Sequence, residues 1–350
     1  MKKRHINVPV FIPHLGCPNN CTFCNQKTIS GVKKFEAESV IPIIEEALST
    51  VNESDTAEIA YFGGSFTGID RNLMESLLSI SKKYLDEGRI TSVRCSTRPD
   101  YINDEIIADL SRFSVRTVEL GLQSFSDEVL RRSGRGHDAE CARVACRKLK
   151  ASGFTLIGQM MIGLPGSDTE SEILTAREII SAGADGARVY PTVVFYDTEL
   201  SCMTERGEYV PLSNEDAVMR TKAVLDVFDR ARVPCIRVGL QASENLSDES
   251  CVMAGANHSA IGELAMGELY YERICAEIEK SGARGGEICV LVPMGAVSKA
   301  VGQKKKNKQR LIQKYGFRKI KFVECPDVEG YNVKLQYKEK ANAEEEKTCI

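Results

Sequence analysis

No run of apolar residues in this chain is long enough to cross a bilayer, so a membrane-spanning role is not expected. A secretory signal is missing too. Lys2, Lys3 and Arg4 precede an apolar run ending at Cys17, but Pro9, Pro13 and His14 interrupt it. A large excess of either charge is lacking: 46 Lys and Arg against 49 Asp and Glu leave a net −3. That excludes a global pull toward nucleic acid or membrane and requires any such contact to be local. The chain also lacks the regular cysteine spacing of a disulfide scaffold. Its thirteen cysteines are irregular outside one cluster, which reads as reduced thiols in a cytoplasmic protein. What is present is ample: 350 residues, 43% of them apolar, can build a barrel-sized domain and a smaller one.

The cluster is Cys17-Pro18-Asn19-Asn20-Cys21-Thr22-Phe23-Cys24. Closely spaced thiolates chelate soft metals, which points to an iron–sulfur centre or to zinc. Three ligands leave one metal position open to another molecule, whereas a closed structural site takes four. A zinc knuckle with a distant fourth ligand, or three thiols buried by chance, are the alternatives at this point.

From Ile6 to about residue 194, short β-rich runs alternate with amphipathic segments. Strands are expected at Val8–Ile12, Glu58–Phe62, Ser92–Ser96, Thr117–Leu122, Thr155–Met161 and Gly186–Val193. Helical segments such as Val40–Leu48 and Asp138–Ser152 separate them. The long links predict parallel pairing, hence a barrel or a doubly wound sheet. Several polar or glycine-bearing positions fall at or near strand ends. Gly63, Gly64 and Ser65 close the second strand, and paired glycines let a ligand approach the backbone. Arg98 follows the third strand and suits a carboxylate or phosphate. Glu119 and Gln123, an even number apart, should share a face with Gly121. Polar groups facing a barrel interior call for a polar ligand or a water network. Met161, beside Gly163-Leu164-Pro165-Gly166, could line an adenine slot, and Arg188 alternates onto one face with Tyr190. Asp138 is placed to cap the helix that follows it, and His137 reads as a turn residue.

Cys-x-x-x-Cys-x-aromatic-Cys, with Phe23 as the aromatic, resembles the signature of the radical S-adenosylmethionine (SAM) superfamily. The resemblance implies a [4Fe–4S] cluster on Cys17, Cys21 and Cys24, with SAM on the open iron and an external electron donor. It also implies that Gly63 and Gly64 receive the ammonium of SAM, with Ser65 standing where many members have Glu. Arg98, Gln123, Met161 and Arg188 complete the expected SAM contacts. The fold it selects is α/β: a partial (β/α) TIM-type barrel with a smaller C-terminal α+β domain.

Ordered blocks at Ser96–Ile102, Val118–Ser124, Arg135–Asp138, Met160–Gly166 and Arg188–Val194 resemble the radical SAM core of the Elongator catalytic subunit family. The likeness extends through Pro211–Asp216 and Arg237–Gln241. No acetyl-CoA loop of the expected kind follows, so a core without its acetyltransferase domain is expected. The shorter first cysteine gap is closer to oxygen-independent coproporphyrinogen oxidases, and a tetrapyrrole is the alternative substrate.

The expected domains are a radical SAM core over 1–241, a linker and long helix over 242–285, a small basic domain over 286–336, and a frayed tail over 337–350. Strand–helix–turn–helix–strand in the third resembles part of a KH-type RNA-binding fold, although Lys305 stands at the second glycine of its Gly-x-x-Gly turn. Nine lysines and arginines and no acid lie between Gln303 and Lys321. Among them Lys304, Lys305, Lys306, Lys308 and Arg310 are the candidate RNA or tRNA contacts. An RNA-modifying enzyme is therefore expected, against a non-catalytic cluster-bearing RNA-binding protein.

Overall fold

The computed structural model of the chain describes residues 4–12, 15–17, 21–24, 35–52, 54–240 and 250–338. It divides into two units, Met1–Ser213 with Val233–Ser259, and Asn214–Arg232 with Ala260–Ile350. Residues 242–249 of the expected linker and 339–350 of the expected tail lie outside the described residues.

In the first unit, β1 (His5–Ile12), β2 (Thr56–Gly63), β3 (Ser92–Thr97), β4 (Val115–Gln123), β5 (Thr155–Ile162) and β6 (Gly186–Pro191) lie side by side in chain order. A seventh strand follows β6, and all pairs in this sheet are parallel. Order that never reverses is the mark of a singly wound, curled sheet; a doubly wound sheet would change direction at a switch point. The first and seventh strands do not pair, so the barrel is partial. Five of the intervening helices begin at side-chain caps. Asp70, Asn103, Ser126, Asp138 and Asp168 each accept a backbone N–H at the start of α2 (Arg71–Asp86), α3 (Asp104–Arg112), α4 (Asp127–Arg132), α5 (Ala139–Ala151) and α6 (Thr169–Ser181). α1 (Val40–Leu48) links β1 to β2. On the helix side of β2, buried Tyr61 donates to the Leu77 carbonyl at 2.7 Å and lies 2.6 Å from the Ser81 hydroxyl.

Two details depart from the sequence reading. The expected strand Gly186–Val193 is two elements. β6 stops at Pro191, and β7 (Val193–Phe195) leaves the sheet to pair antiparallel with β9 (Val252–Gly255). β8 (Cys235–Val238), not expected as a strand, is the seventh member of the sheet. It is only four residues long, too short for a periodicity signal.

The second unit is built on α8 (Asn214–Arg230) and α9 (Ile261–Ser281), which pack together. The sequence reading kept α8 with the barrel; the structure places it in this unit. Val218, Thr221, Leu225 and Phe228 are among the residues that α8 buries, and Lys222 and Arg273 pair across the two helices with Glu272 and Asp226. β10 (Glu287–Val292) is central in a three-stranded sheet, parallel to β11 (Lys319–Glu324) and antiparallel to β12 (Lys334–Lys338). Ile288, Val290 and Val292 alternate into a core with Ile274, Ile278, Leu311 and Phe317. α7 (Glu199–Glu205) belongs to the first unit; α10 (Val297–Val301) and α11 (Lys306–Tyr315) belong to the second.

Candidate functional site

The cysteine loop follows β1 and is fixed from three directions. Gly16 sits so close to the next turn that a Cβ there would lie 2.4 Å from Gly68 C and 2.6 Å from the Ser65 carbonyl, and its φ is +74°. Only glycine meets both conditions. Thr22 N–H donates to the Ser133 carbonyl at 3.0 Å, and Leu200 N–H donates to the Thr22 carbonyl at 2.8 Å. Phe23, the aromatic of the motif, packs against buried Val194, Leu200 and Tyr209. Cys17, Cys21 and Cys24 are reduced cysteines outside any disulfide.

Two buried arginines face the sulfurs. Arg98 Nη1 lies 3.9 Å from both Cys17 Sγ and Cys21 Sγ, and Arg135 Nη1 lies 3.4 Å from Cys21 Sγ. Burial works against the charge of Arg98. The bidentate pair with Asp100, at 2.9 and 2.8 Å, more than offsets it and keeps the guanidinium charged. A donor set of three thiols beside fixed cations suits a soft metal centre of negative charge. Among the described residues no three His, Cys, Asp or Glu side chains converge on a single-ion position. Ligands to separate irons of a cube do not need to converge in that way.

The strand-end residues do not all behave as their positions suggest. Gly63, at φ +130°, faces β1: a Cβ would fall 2.0 Å from the Ile12 carbonyl oxygen. The close approach it permits is therefore between strands. Gly64 is half-buried beside it. Ser65 turns inward. Its hydroxyl lies 2.8 Å from the Thr97 hydroxyl and accepts from Arg98 N–H at 3.3 Å, tying the β2 turn to the end of β3. Arg98 is 2% exposed, so it is no surface arginine, and its fork is taken up by Asp100, the Arg135 carbonyl and the cysteine sulfurs. Met161 is half-buried on β5 opposite Tyr190 of β6.

Gln123 departs from strand periodicity. A register shift separates it from Gly121, and its φ is +65°. Its Oε1 is buried and, among the described residues, no group donates to it, which leaves an acceptor for a bound ligand.

Deeper in the barrel, the inner face carries an ion network. Glu119 is fully buried and accepts from Arg94 Nη1 at 2.7 Å, Arg188 Nη2 at 2.8 Å and Gln159 Nε2 at 2.8 Å. Arg94 also reaches Glu58 at 2.7 Å, and Arg188 lies 5.6 Å over the Phe62 ring. The expected polar interior is present, but protein groups satisfy Glu119. Arg188 is thus spent on Glu119, apart from the strand-end group.

Arg94, Arg135 and Glu172 were missed by sequence reasoning. Arg94 had a signal in the polar–apolar alternation of Ser92–Ser96. Arg135 stood in the block Arg135–Asp138, but only the fold brings it to Cys21. Glu172, 2% exposed, holds the Gly163 N–H at 2.7 Å and so shapes the loop after β5. His137 sits beside Arg135. Burial, then the Arg135 cation, pushes its imidazole down to about 4, so it is neutral at pH 7.

In the second unit the turn before α11 is Gly302-Gln303-Lys304-Lys305. Lys304 and Lys305 both have left-handed backbones, φ +53° and +63°, and with Lys306 they are exposed. Lys308 is half-buried. Arg310 does not belong with them. It forms a bidentate pair with Glu268 at 2.7 and 2.8 Å and stacks 3.6 Å over the Tyr271 ring.

Comparison with known proteins gives a consistent family. The model of the radical SAM superfamily matches residues 11–179, and that of the radical SAM C-terminal domain matches 184–271. A tRNA uridine(34) acetyltransferase of Methanocaldococcus jannaschii is 33% identical over 157 residues, 44% of this chain and 29% of the relative. Protein YhcC of Escherichia coli is 25% identical over 214 residues, 57% of this chain and 67% of the relative. The chain spans only about a third of the archaeal relatives it matches. Among solved structures, the Elp3 of Methanocaldococcus infernus superposes with a TM-score of 0.59 at 22% identity, over 81% of this chain and 65% of that one. The likeness supports the partial-barrel fold. Two consecutive family models, which together match residues 11–179 and 184–271, place the chain in the radical SAM superfamily, enzymes that bind a [4Fe–4S] cluster and SAM.

Proposed function

We propose that the chain is an RNA-modifying radical SAM enzyme in which Cys17, Cys21 and Cys24 hold the [4Fe–4S] cluster. The observation that carries the cluster assignment is the fixed cysteine loop at the C-terminal edge of the sheet, with two buried guanidiniums on its sulfurs. Cys17, Cys21 and Cys24 would hold the cluster, which once reduced by an external donor would supply the electron for cleavage of SAM and so for hydrogen-atom abstraction from substrate. The chain's own residues bind and orient. Gly63 keeps β1 and β2 close enough to set the cysteine loop beside the Gly64 turn. Gln123 Oε1 accepts a hydrogen bond from bound SAM, and Met161 offers it an apolar contact. The Glu119 network forms a rigid, charge-balanced floor below them.

The RNA assignment rests on two supports. One is the relative named for tRNA uridine, at 33% identity over part of its length. The other is the exposed Lys304, Lys305 and Lys306, with Lys308 next to them. Backbone phosphates are their natural ligands. Arg310, paired with Glu268, is left out of this surface.

Anaerobically reconstituted protein, given SAM and dithionite, should yield 5′-deoxyadenosine, and replacing the three cysteines with alanine should remove the cluster absorbance. An intact cluster with no such product would refute catalysis. Binding to tRNA should weaken with salt, and the salt slope should fall by up to about 3 when the four lysines become glutamine. An unchanged slope would refute the assigned surface.

A further inference from the structure

The two guanidiniums on the cysteine sulfurs are buried and held in place by protein groups. Arg98 is 2% exposed and Arg135 5%. Arg98 is held by Asp100 at 2.9 and 2.8 Å and donates to the Arg135 carbonyl; Arg135 donates to the Gly121 carbonyl. Each is thereby aimed at sulfur: Arg98 at Cys17 and Cys21, Arg135 at Cys21. Buried charge is poorly screened, so its effect on a neighbouring centre is larger than at a surface.

We propose that Arg98 and Arg135 are positioning residues that raise the reduction potential of the cluster, with Asp100 setting how much of the Arg98 charge it feels. The proposal rests on the reading that Cys17 and Cys21 are cluster ligands. Reduction adds one electron to the centre, delivered by an external one-electron reductant, and no bond or proton changes. The reduced centre is the more negative one. Cations and N–H donors at its sulfurs therefore stabilise it more than the oxidised form. Asp100 works in the opposite sense, because its carboxylate neutralises part of the Arg98 charge.

The test is an EPR-monitored redox titration of the full chain, reconstituted anaerobically and free of SAM, with iron and sulfide counted in every variant. Arg135→Gln should make reduction about tenfold less favourable, a fall of about 59 mV for one electron. Arg135→Lys, which keeps the charge, should recover part of that. Asp100→Asn should move the potential in the opposite direction, upward, which general loosening of the loop would not do. Midpoints for Arg135→Gln and Asp100→Asn within twofold of the parent equilibrium, or shifted in the same direction, would overturn the proposal. If Arg135→Gln does not assemble a cluster, Arg135→Lys and Asp100→Asn decide: equal or like-signed shifts reject it. Failure of the underlying reading looks different: Cys21→Ala would then retain a full complement of iron and sulfide.

Discussion

Glu119→Gln removes the one fully buried carboxylate of the barrel floor while keeping the size of the side chain. Three donors converge on that carboxylate at 2.7 to 2.8 Å: Arg94, Arg188 and Gln159. After the substitution Arg94 still has Glu58 at 2.7 Å, but Arg188 keeps only the face of Phe62 and the neighbouring Tyr190. A buried cation left without its partner costs about 3–5 kcal/mol. In a unit of this size each kcal/mol moves Tm by about 2–4 °C, so a fall of roughly 10 °C is expected. The assay is anaerobic differential scanning calorimetry at one scan rate, which keeps irreversible melts comparable. Arg188→Met, alone and with Glu119→Gln, completes a cycle. Because the two groups share one ion pair, the double variant should be more stable than the sum of the singles predicts, by at least about 1 kcal/mol. A Tm shift under about 2 °C for Glu119→Gln, or strict additivity, would show that the network does not hold the barrel floor.

Gly63→Ala should be severely destabilising, by more than about 4 kcal/mol, because the new methyl meets the Ile12 carbonyl at 2.0 Å on a backbone that disfavours it; an unchanged thermal melt would contradict the strand contact. Lys305→Gly should raise stability by about 0.5–1 kcal/mol by relieving a left-handed φ of +63°, read as a Tm increase, and a decrease would mean the lysine side chain contributes more than its backbone costs. For His137, the folded imidazole titrates near 4 against an ordinary 6.5, so between those values the unfolded chain binds a proton that the fold does not. Stability therefore falls as pH drops through that window, by up to about 2 kcal/mol at pH 5. His137→Gln should flatten the difference in urea midpoint between pH 7 and pH 5; an identical pH dependence in the variant would assign the effect elsewhere.

The sequence alone determined the kind of chemistry and the parallel pairing of the strands. Three cysteines within eight residues follow a short β-rich run, and alternating β and helical segments with long links leave parallel pairing as the workable solution. Those signals are local in the chain, and local patterns are legible without a fold. What tertiary structure decided is which side chains meet. Arg98 looked open to a ligand and is committed to Asp100 and two sulfurs. Arg135 lies 114 residues from the Cys21 sulfur it faces. Gln123 breaks the two-residue alternation at a register shift, and helix Asn214–Arg230 joins the second unit because its apolar stripe fits the helix Ile261–Ser281. Arg310 counts as a basic residue in sequence, yet Glu268 and Tyr271 take its charge. Composition and spacing record which groups a chain carries; whether a charge is free or spent depends on neighbours that only the folded chain supplies.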